Sequence, residues 1–252
     1  GLEIVKKIID TKKVDFLNII RGHIDTDASL TKVIPTQGMA SSPHLDFAGE
    51  IKFQSKFPVF HASKINDVAT ARYAIETGKL DMVGMTRAHI ADPHIVKKIT
   101  NGRENTIRPC VGATYCLDRI YEGNEALCIH NPATGREKFI PHEISNKTDK
   151  KKKIVVVGAG PSGLEAAKIC SERGHDVVVF EAGSKAGGQL NLITRSKRRK
   201  DMLGIIDWRI MACKDKNVQF YYDTLANKEV ILKERPDSII IATGGIPNTD
   251  IL

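Results

Sequence analysis

Long apolar runs are missing from this chain of 252 residues. No stretch reaches the roughly 20 consecutive apolar residues that a membrane-spanning helix needs. The opening GLEIVKKIID reads as an amphipathic helix and not as a signal peptide. The absence of a methionine at position 1 suggests a fragment. Two basic runs, KTDKKKK at 147–153 and RSKRRKD at 195–201, supply much of the net charge of +8, yet no aromatic residue is interleaved with either. They read as a solvated linker and a solvated loop, not as a nucleic-acid grip. No internal repeat is present. Cysteine is scarce: the five cysteines are clustered and not spread in pairs, which argues against a disulfide framework and for metal chemistry in a reducing, cytoplasmic compartment. With 41% hydrophobic and 27% charged residues, the chain can bury one large core or two smaller ones.

The first hundred residues alternate helical and strand patterns. LEIVKKIID predicts a helix and VDFLNII (14–20) a buried strand, followed by a polar stretch at 24–50 that reads as a long loop. FPVFHAS (57–63) and LDMVGM (80–85) predict two more strands. NDVATARYAIETG between them carries an Asn or Asp cap and a Gly78 stop. DPHIVKKITNG predicts a further helix with Pro93 in its first turn. Strands of nearly continuous apolar character separated by helices mean a parallel sheet covered on both faces. Residues 106–146 hold three cysteines and little periodicity.

The motif richest in information is KIVVVGAGPSGLEAAKICSERGHDVVVFEA. Gly158, Gly160 and Gly163 form G-x-G-x-x-G between a predicted strand and a predicted helix, with Ser162 inside the turn. The first glycine permits the tight turn, the second lets a pyrophosphate approach the backbone, and the third packs helix on strand. The helix N-terminus offers amide hydrogens to phosphate. Glu181 ends the second strand, where a carboxylate can accept hydrogen bonds from an adenosine ribose. KAGGQLN (185–191) and IIIATGGIPN (239–248) resemble segments of flavoproteins with two dinucleotide-binding domains. That likeness implies that Gly188, Gln189 and Leu190 lie along a flavin dinucleotide and that Thr243 and Gly244 pack beside its diphosphate.

The predicted strands at 57–63 and 80–85 end in HASKIND and GMTRAHIADP. Loops after the last two strands of a (β/α)8 barrel commonly hold phosphate. Lys64 and Arg87 sit at such positions, and Ala62, Ser63 and Thr86 are small enough to expose backbone amides.

The order NIIRGH, PVFHASKIND, DMVGMTRAHIADP, RPCVGATYCLDRI, CIHNPATGRE, VVVGAGPSGLEAA, GGQLN, ATGG resembles the iron–sulfur branch of the old yellow enzyme family over nearly the whole chain. The branch includes trimethylamine dehydrogenase and 2,4-dienoyl-CoA reductase; CIHNPATGRE and the NTD at 248–250 lean toward its N-methylamine demethylases. The resemblance implies an α/β chain in four parts. Residues 1–105 form the C-terminal part of an FMN-binding (β/α)8 barrel and 106–146 an iron–sulfur-type cysteine segment. Residues 147–153 are a charged linker, and 154–252 begin a Rossmann-like FAD/NAD(P)-binding domain. A whole barrel takes about 250 residues, so most strands that face the flavin ring would lie elsewhere, and no catalytic residue is assigned. His23 matches a position at which trimethylamine dehydrogenase places an acid, but a histidine stands there.

The implied cofactors are FMN, FAD or an ADP moiety, and a 4Fe–4S cluster that relays single electrons. The implied activity is oxidative N-demethylation of a small methylated amine, with NAD(P)H-dependent enoyl reduction or an inactive nucleotide-binding fragment as alternatives. NAD(P)H or an electron-transfer protein would be the redox partner. Neither nucleic acid nor membrane is expected, and a homo-oligomer is allowed.

Cys110, Cys116 and Cys128 match three of the four cluster-ligand positions in the family loop, and Ala113 stands at the fourth. A cube ordinarily takes four thiolates. Four outcomes stay open: a cube with one external ligand, a cluster short of one iron, a relic loop without metal, or zinc held with the help of His130. Cys170 and Cys213 read as small core residues on helices.

Overall fold

The computed structural model describes residues 1–144 and 148–245 and divides into two compact units, Gly1–Gly135 and Arg136–Leu252. Lys147 of the basic linker and the NTD at 248–250 lie outside the described residues.

The first unit contains, in chain order, α1 (Leu2–Asp10), β1 (Leu17–Ile19), α2 (Asp27–Val33), α3 (Leu45–Ser55), β2 (Val59–His61), α4 (Val68–Glu76), β3 (Met82–Val83), α5 (Thr86–Ala91), α6 (Ile95–Thr100) and α7 (Tyr115–Tyr121). The strands form a parallel sheet in the order β1-β2-β3, with Ile19 opposite His61 and His61 opposite Val83. The helices α3 and α4 pack on this sheet and bury Leu45, Ala48, Ile51, Ala71 and Ala74 against Ile19, Val59 and Ile65. Asp67 caps α4, its carboxylate accepting from the Thr70 amide at 2.7 Å.

The sequence reading is corrected at three places here. The polar stretch 24–50 is not a continuous loop, since α2 lies within it and α3 begins there at Leu45. The GMTRAHIADP segment contains the short helix α5. Pro93 precedes α6 and its N-cap residue His94, because the chain turns once more before the helix begins. That turn is fixed by Asp92, whose buried carboxylate accepts from the Lys98 ammonium at 2.5 Å and the Arg108 amide at 2.8 Å. Burial pushes this carboxyl up, but Lys98 and the amides of Arg108 and His94 outweigh it and hold the carboxyl below its ordinary value.

The second unit contains β4 (Lys153–Val157), α8 (Pro161–Glu172), β5 (Asp176–Phe180), α9 (Leu190–Ile193), α10 (Leu203–Lys214), β6 (Gln219–Tyr221), α11 (Lys228–Lys233) and β7 (Ser238–Ile241). Its parallel sheet runs β6-β5-β4-β7, so the strand order reverses between β4 and β7. The reading from sequence passed over β6, a short strand with no buried residue. Buried Val155, Val156, Val178 and Val179 form the sheet interior. The helices α8 and α10 are tied by Arg209, which donates to Glu165 at 2.7 Å, and Lys168 bridges Glu165 and Glu172 at 3.3 and 3.1 Å. Cys170 lies on α8, and Cys213 is a buried core residue of α10 whose thiol burial pushes up to about 12. Among the described residues no helix is long and apolar enough to cross a membrane.

Candidate functional site

In the second unit, β4 hands the chain to α8 through Gly158–Gly160. Gly158 has φ +101, and a Cβ there would stand 2.4 Å from the Ala242 carbonyl oxygen. A Cβ on Gly163 would stand 1.9 Å from the Gly158 carbonyl oxygen, so this glycine seats α8 on the turn. Gly160 differs. Its φ of −70 suits any residue, and a Cβ would meet nothing within 4 Å. Internal packing does not require a glycine there; a side chain would project into open space in front of the backbone.

That space is a cleft of about 990 Å³ lying off the C-terminal ends of β4, β5 and β7. Open α/β sheets bind ligands in the crevice where strand order reverses, and here that is between β4 and β7. Gly158, Gly160, Ser162, Glu181, Gly188, Gln189, Leu190, Thr243 and Gly244 all line the cleft. Of the residues singled out for this site, Gly163 alone does not, consistent with its packing position. Glu181 is aimed by the backbone: one carboxylate oxygen accepts from the Ala159 amide at 2.7 Å and the other from the Gly183 amide at 2.8 Å. Each oxygen keeps a lone pair for a ligand hydroxyl. The Gln189 side-chain amide donates to the Gly245 carbonyl at 2.9 Å and so joins two walls of the cleft. The Thr224–Ala226 wall was not foreseen, because the strand that delivers it was not.

In the first unit a cavity of about 350 Å³ lies at the C-terminal ends of β1, β2 and β3, and Ala62, Ser63, Lys64, Thr86 and Arg87 all line it. Ser63 (φ +111) and Lys64 (φ +54) adopt left-handed backbone conformations in succession. Such geometry costs about 1–3 kcal/mol per residue and needs support. The Lys64 carbonyl receives it from the Ser41 hydroxyl at 3.0 Å and the Ser42 amide at 3.2 Å. The Lys64 ammonium is buried and donates to the Met39 carbonyl. Arg87 has a buried Nη1 without a hydrogen-bond partner. A buried guanidinium nitrogen with no acceptor is costly, and an anion in the cavity would relieve it. His61, His44 and Arg21 also line this cavity and were not singled out from the sequence. His61 closes an apolar strand and reads there as one more core position.

Arg87 and Cys116 face a second, small hollow as well, lined also by Cys110, Cys128, Ala113 and His130. All three cysteines are free thiols. Burial raises the Cys110 and Cys116 thiols, while the Arg87 charge pulls both back down. Buried thiols of this kind stay protonated until a metal takes the proton's place. Cys128 accepts from the His130 amide at 3.4 Å, and His130 Nδ1 lies 2.9 Å from the Pro109 carbonyl. Among the described residues, no three His, Cys, Asp or Glu side chains are placed to hold a single metal ion. Three thiols line the hollow, and Ala113, which lines it too, brings no donor side chain. His23 stands apart as an exposed residue paired with Asp25.

Residues 156–210 match the family model of the NAD(P)-binding Rossmann-like domain. Over its full length the chain is 61% identical to a probable N-methylproline demethylase of Rhizobium meliloti strain 1021, of which it covers 37%. It is 48% identical, again over 100% of its own length and 37% of the relative, to the multifunctional alkene reductase/demethylase OYE of Caballeronia cordobensis. The chain is thus similar to a stretch of a probable demethylase and of an alkene reductase/demethylase. The solved 6-hydroxypseudooxynicotine amine oxidase of Pseudomonas geniculata N1 superposes with a TM-score of 0.85 at 26% identity, over 96% of this chain and 36% of that one. The chain thus spans 37% of the length of the curated relatives just named.

Proposed function

We propose that the chain is the segment of a flavin-dependent oxidoreductase that grips two cofactors by their phosphates, and that the protein oxidatively N-demethylates a small methylated amine. On this reading residues 1–105 are the C-terminal part of a (β/α)8 barrel and hold FMN at its phosphate through Arg87, Lys64 and the backbone of 62–64 and 86–87. Residues 154–252 hold FAD, or only its ADP moiety, along the Gly158–Gly163 turn, with Glu181 on the ribose and Gly188, Gln189, Leu190, Thr243 and Gly244 along the diphosphate. The flavin, when bound, supplies the hydride and electron chemistry; the protein supplies position and electrostatics. This chain's residues neutralise phosphate charge, orient the ribose and keep water from the diphosphate.

The observation that carries the reading is the pair of orphan features facing open space: the unpartnered Arg87 nitrogen and the unfilled volume at Gly160. The demethylases among its relatives favour the amine reaction. The alkene reductase named with one of them keeps NAD(P)H-dependent enoyl reduction as a second reading. NAD(P)H or an electron-transfer protein would exchange electrons, in a cytoplasmic setting that suits the free thiols. At Cys110, Cys116 and Cys128 we propose a cluster with one iron lacking a protein thiolate; no electron step is assigned to it.

The test is formaldehyde release. The protein incubated with N-methylproline or dimethylglycine and an artificial electron acceptor should yield formaldehyde and the demethylated amine in equal amounts. NADH-dependent reduction of an activated alkene without formaldehyde from either amine would favour the second reading and sink the first.

A further inference from the structure

The cavity at the ends of β1–β3 holds two more unmatched groups. His61 is 2% exposed, and its Nδ1 lies 2.7 Å from the Ile19 carbonyl oxygen. A carbonyl only accepts, so Nδ1 carries the hydrogen and Nε2 carries a lone pair. That Nε2 is buried without a partner. His44 repeats the arrangement with the nitrogens exchanged: Nε2 lies 2.8 Å from the Lys32 carbonyl, and Nδ1 is buried without a partner. Both rings line the cavity. Burial holds His61 below the ordinary imidazole value, against the pull of its Ile19 hydrogen bond.

The wall therefore contains two hydrogen-bond acceptors with nothing to accept, beside a guanidinium donor with nothing to receive its hydrogen. The complementary molecule carries an anion at one end and hydroxyl donors beside it. A metal ion between the two imidazoles is disfavoured by Arg87 and Lys64, two cations on the same wall. We propose that His61 and His44 accept hydrogen bonds from the hydroxyls of a polyol chain whose phosphate is held at Arg87, a role that rests on the FMN-phosphate reading above. The two imidazoles then act as binding residues that select a sugar-alcohol phosphate over phosphate alone.

The experiment titrates the protein with FMN, riboflavin, lumiflavin and inorganic phosphate. Riboflavin lacks the phosphate, and lumiflavin lacks the polyol as well. His61→Leu should weaken FMN and riboflavin by about tenfold, the worth of one buried hydrogen bond, and leave lumiflavin and phosphate unchanged. His61→Gln keeps an acceptor and should recover most of the loss. Arg87→Ala should weaken FMN and phosphate but not riboflavin. Because a buried variant can misfold, the unmodified protein is also followed by nitrogen-15 NMR: the His61 Nε2 resonance should move on adding riboflavin and stay on adding phosphate. An unmoved resonance, or FMN binding that depends on Arg87 but ignores His61, overturns the imidazole role and spares the phosphate reading. Binding of none of the flavins by the unmodified protein overturns both.

Discussion

At Gly160 and Gly163, two glycines of one motif meet different fates. A Cβ on Gly163 collides with the Gly158 carbonyl oxygen, whereas a Cβ on Gly160 meets nothing. Gly163→Ala is therefore expected to lower the stability of the second unit, measured as a reduced urea midpoint, while Gly160→Ala leaves it within about 0.5 kcal/mol. Equal midpoints for the two variants would contradict the division of roles. The sequence carried this distinction, because the strand–turn–helix context assigns each glycine its task. What it did not carry were the imidazoles. His61 and His44 lie 17 positions apart with no motif between them, and only the fold brings both to one wall. Ser63 and Lys64 were legible as residues at the end of a strand, where they line the cavity, but their strained backbone was not, since non-glycine residues give no warning of a positive φ.

Among the elements, strands made of a continuous apolar run were readable, and a short strand of mixed residues was not. VVV and SIII mark β4, β5 and β7, while β6 is three residues of mixed polarity, exposed at both ends. The helix α3 was hidden by the Pro-, Gly- and Ser-rich run before it, although Leu45, Ala48 and Ile51 already mark one buried face. The join between α5 and α6 depends on Asp92, whose buried carboxylate meets a Lys98 side chain that is itself largely enclosed. Asp92→Asn leaves that ammonium without its counter-charge and should cost about 3 kcal/mol in chemical denaturation. The pH dependence has a definite sign. The folded carboxyl titrates below its ordinary value of 3.8, so the unfolded chain takes the proton first. The stability gap between wild type and variant should be full above that value and close as pH falls through the folded one. A gap that widens on acidification would contradict the pairing.

For the molecule as a whole, the cavity at the ends of β1–β3 and the cleft at the ends of β4, β5 and β7 lie in separate units, and the cysteine hollow shares Arg87 with the cavity. The sequence reading divided the chain into four parts, with a charged linker at 147–153 and a Gly-rich motif after it. The structure nonetheless places residues 106–135 with the first unit. Whether the hollow keeps iron turns on position 113. Ala113→Cys should raise iron toward four per chain after anaerobic reconstitution and slow its loss in air, as read by iron and sulfide analysis. If the unmodified protein already holds a stable four-iron cluster, the open-iron claim fails; if neither holds iron, the loop is a relic.

The measurement that bears most directly on two separate phosphate grips is calorimetric titration of the purified chain, its Gly160→Val variant and its Arg87→Ala variant with ADP and with FMN. The expected result is a double dissociation: Gly160→Val loses ADP and keeps FMN, and Arg87→Ala weakens FMN and keeps ADP. Undiminished ADP binding by Gly160→Val, or FMN binding indifferent to Arg87, would contradict it.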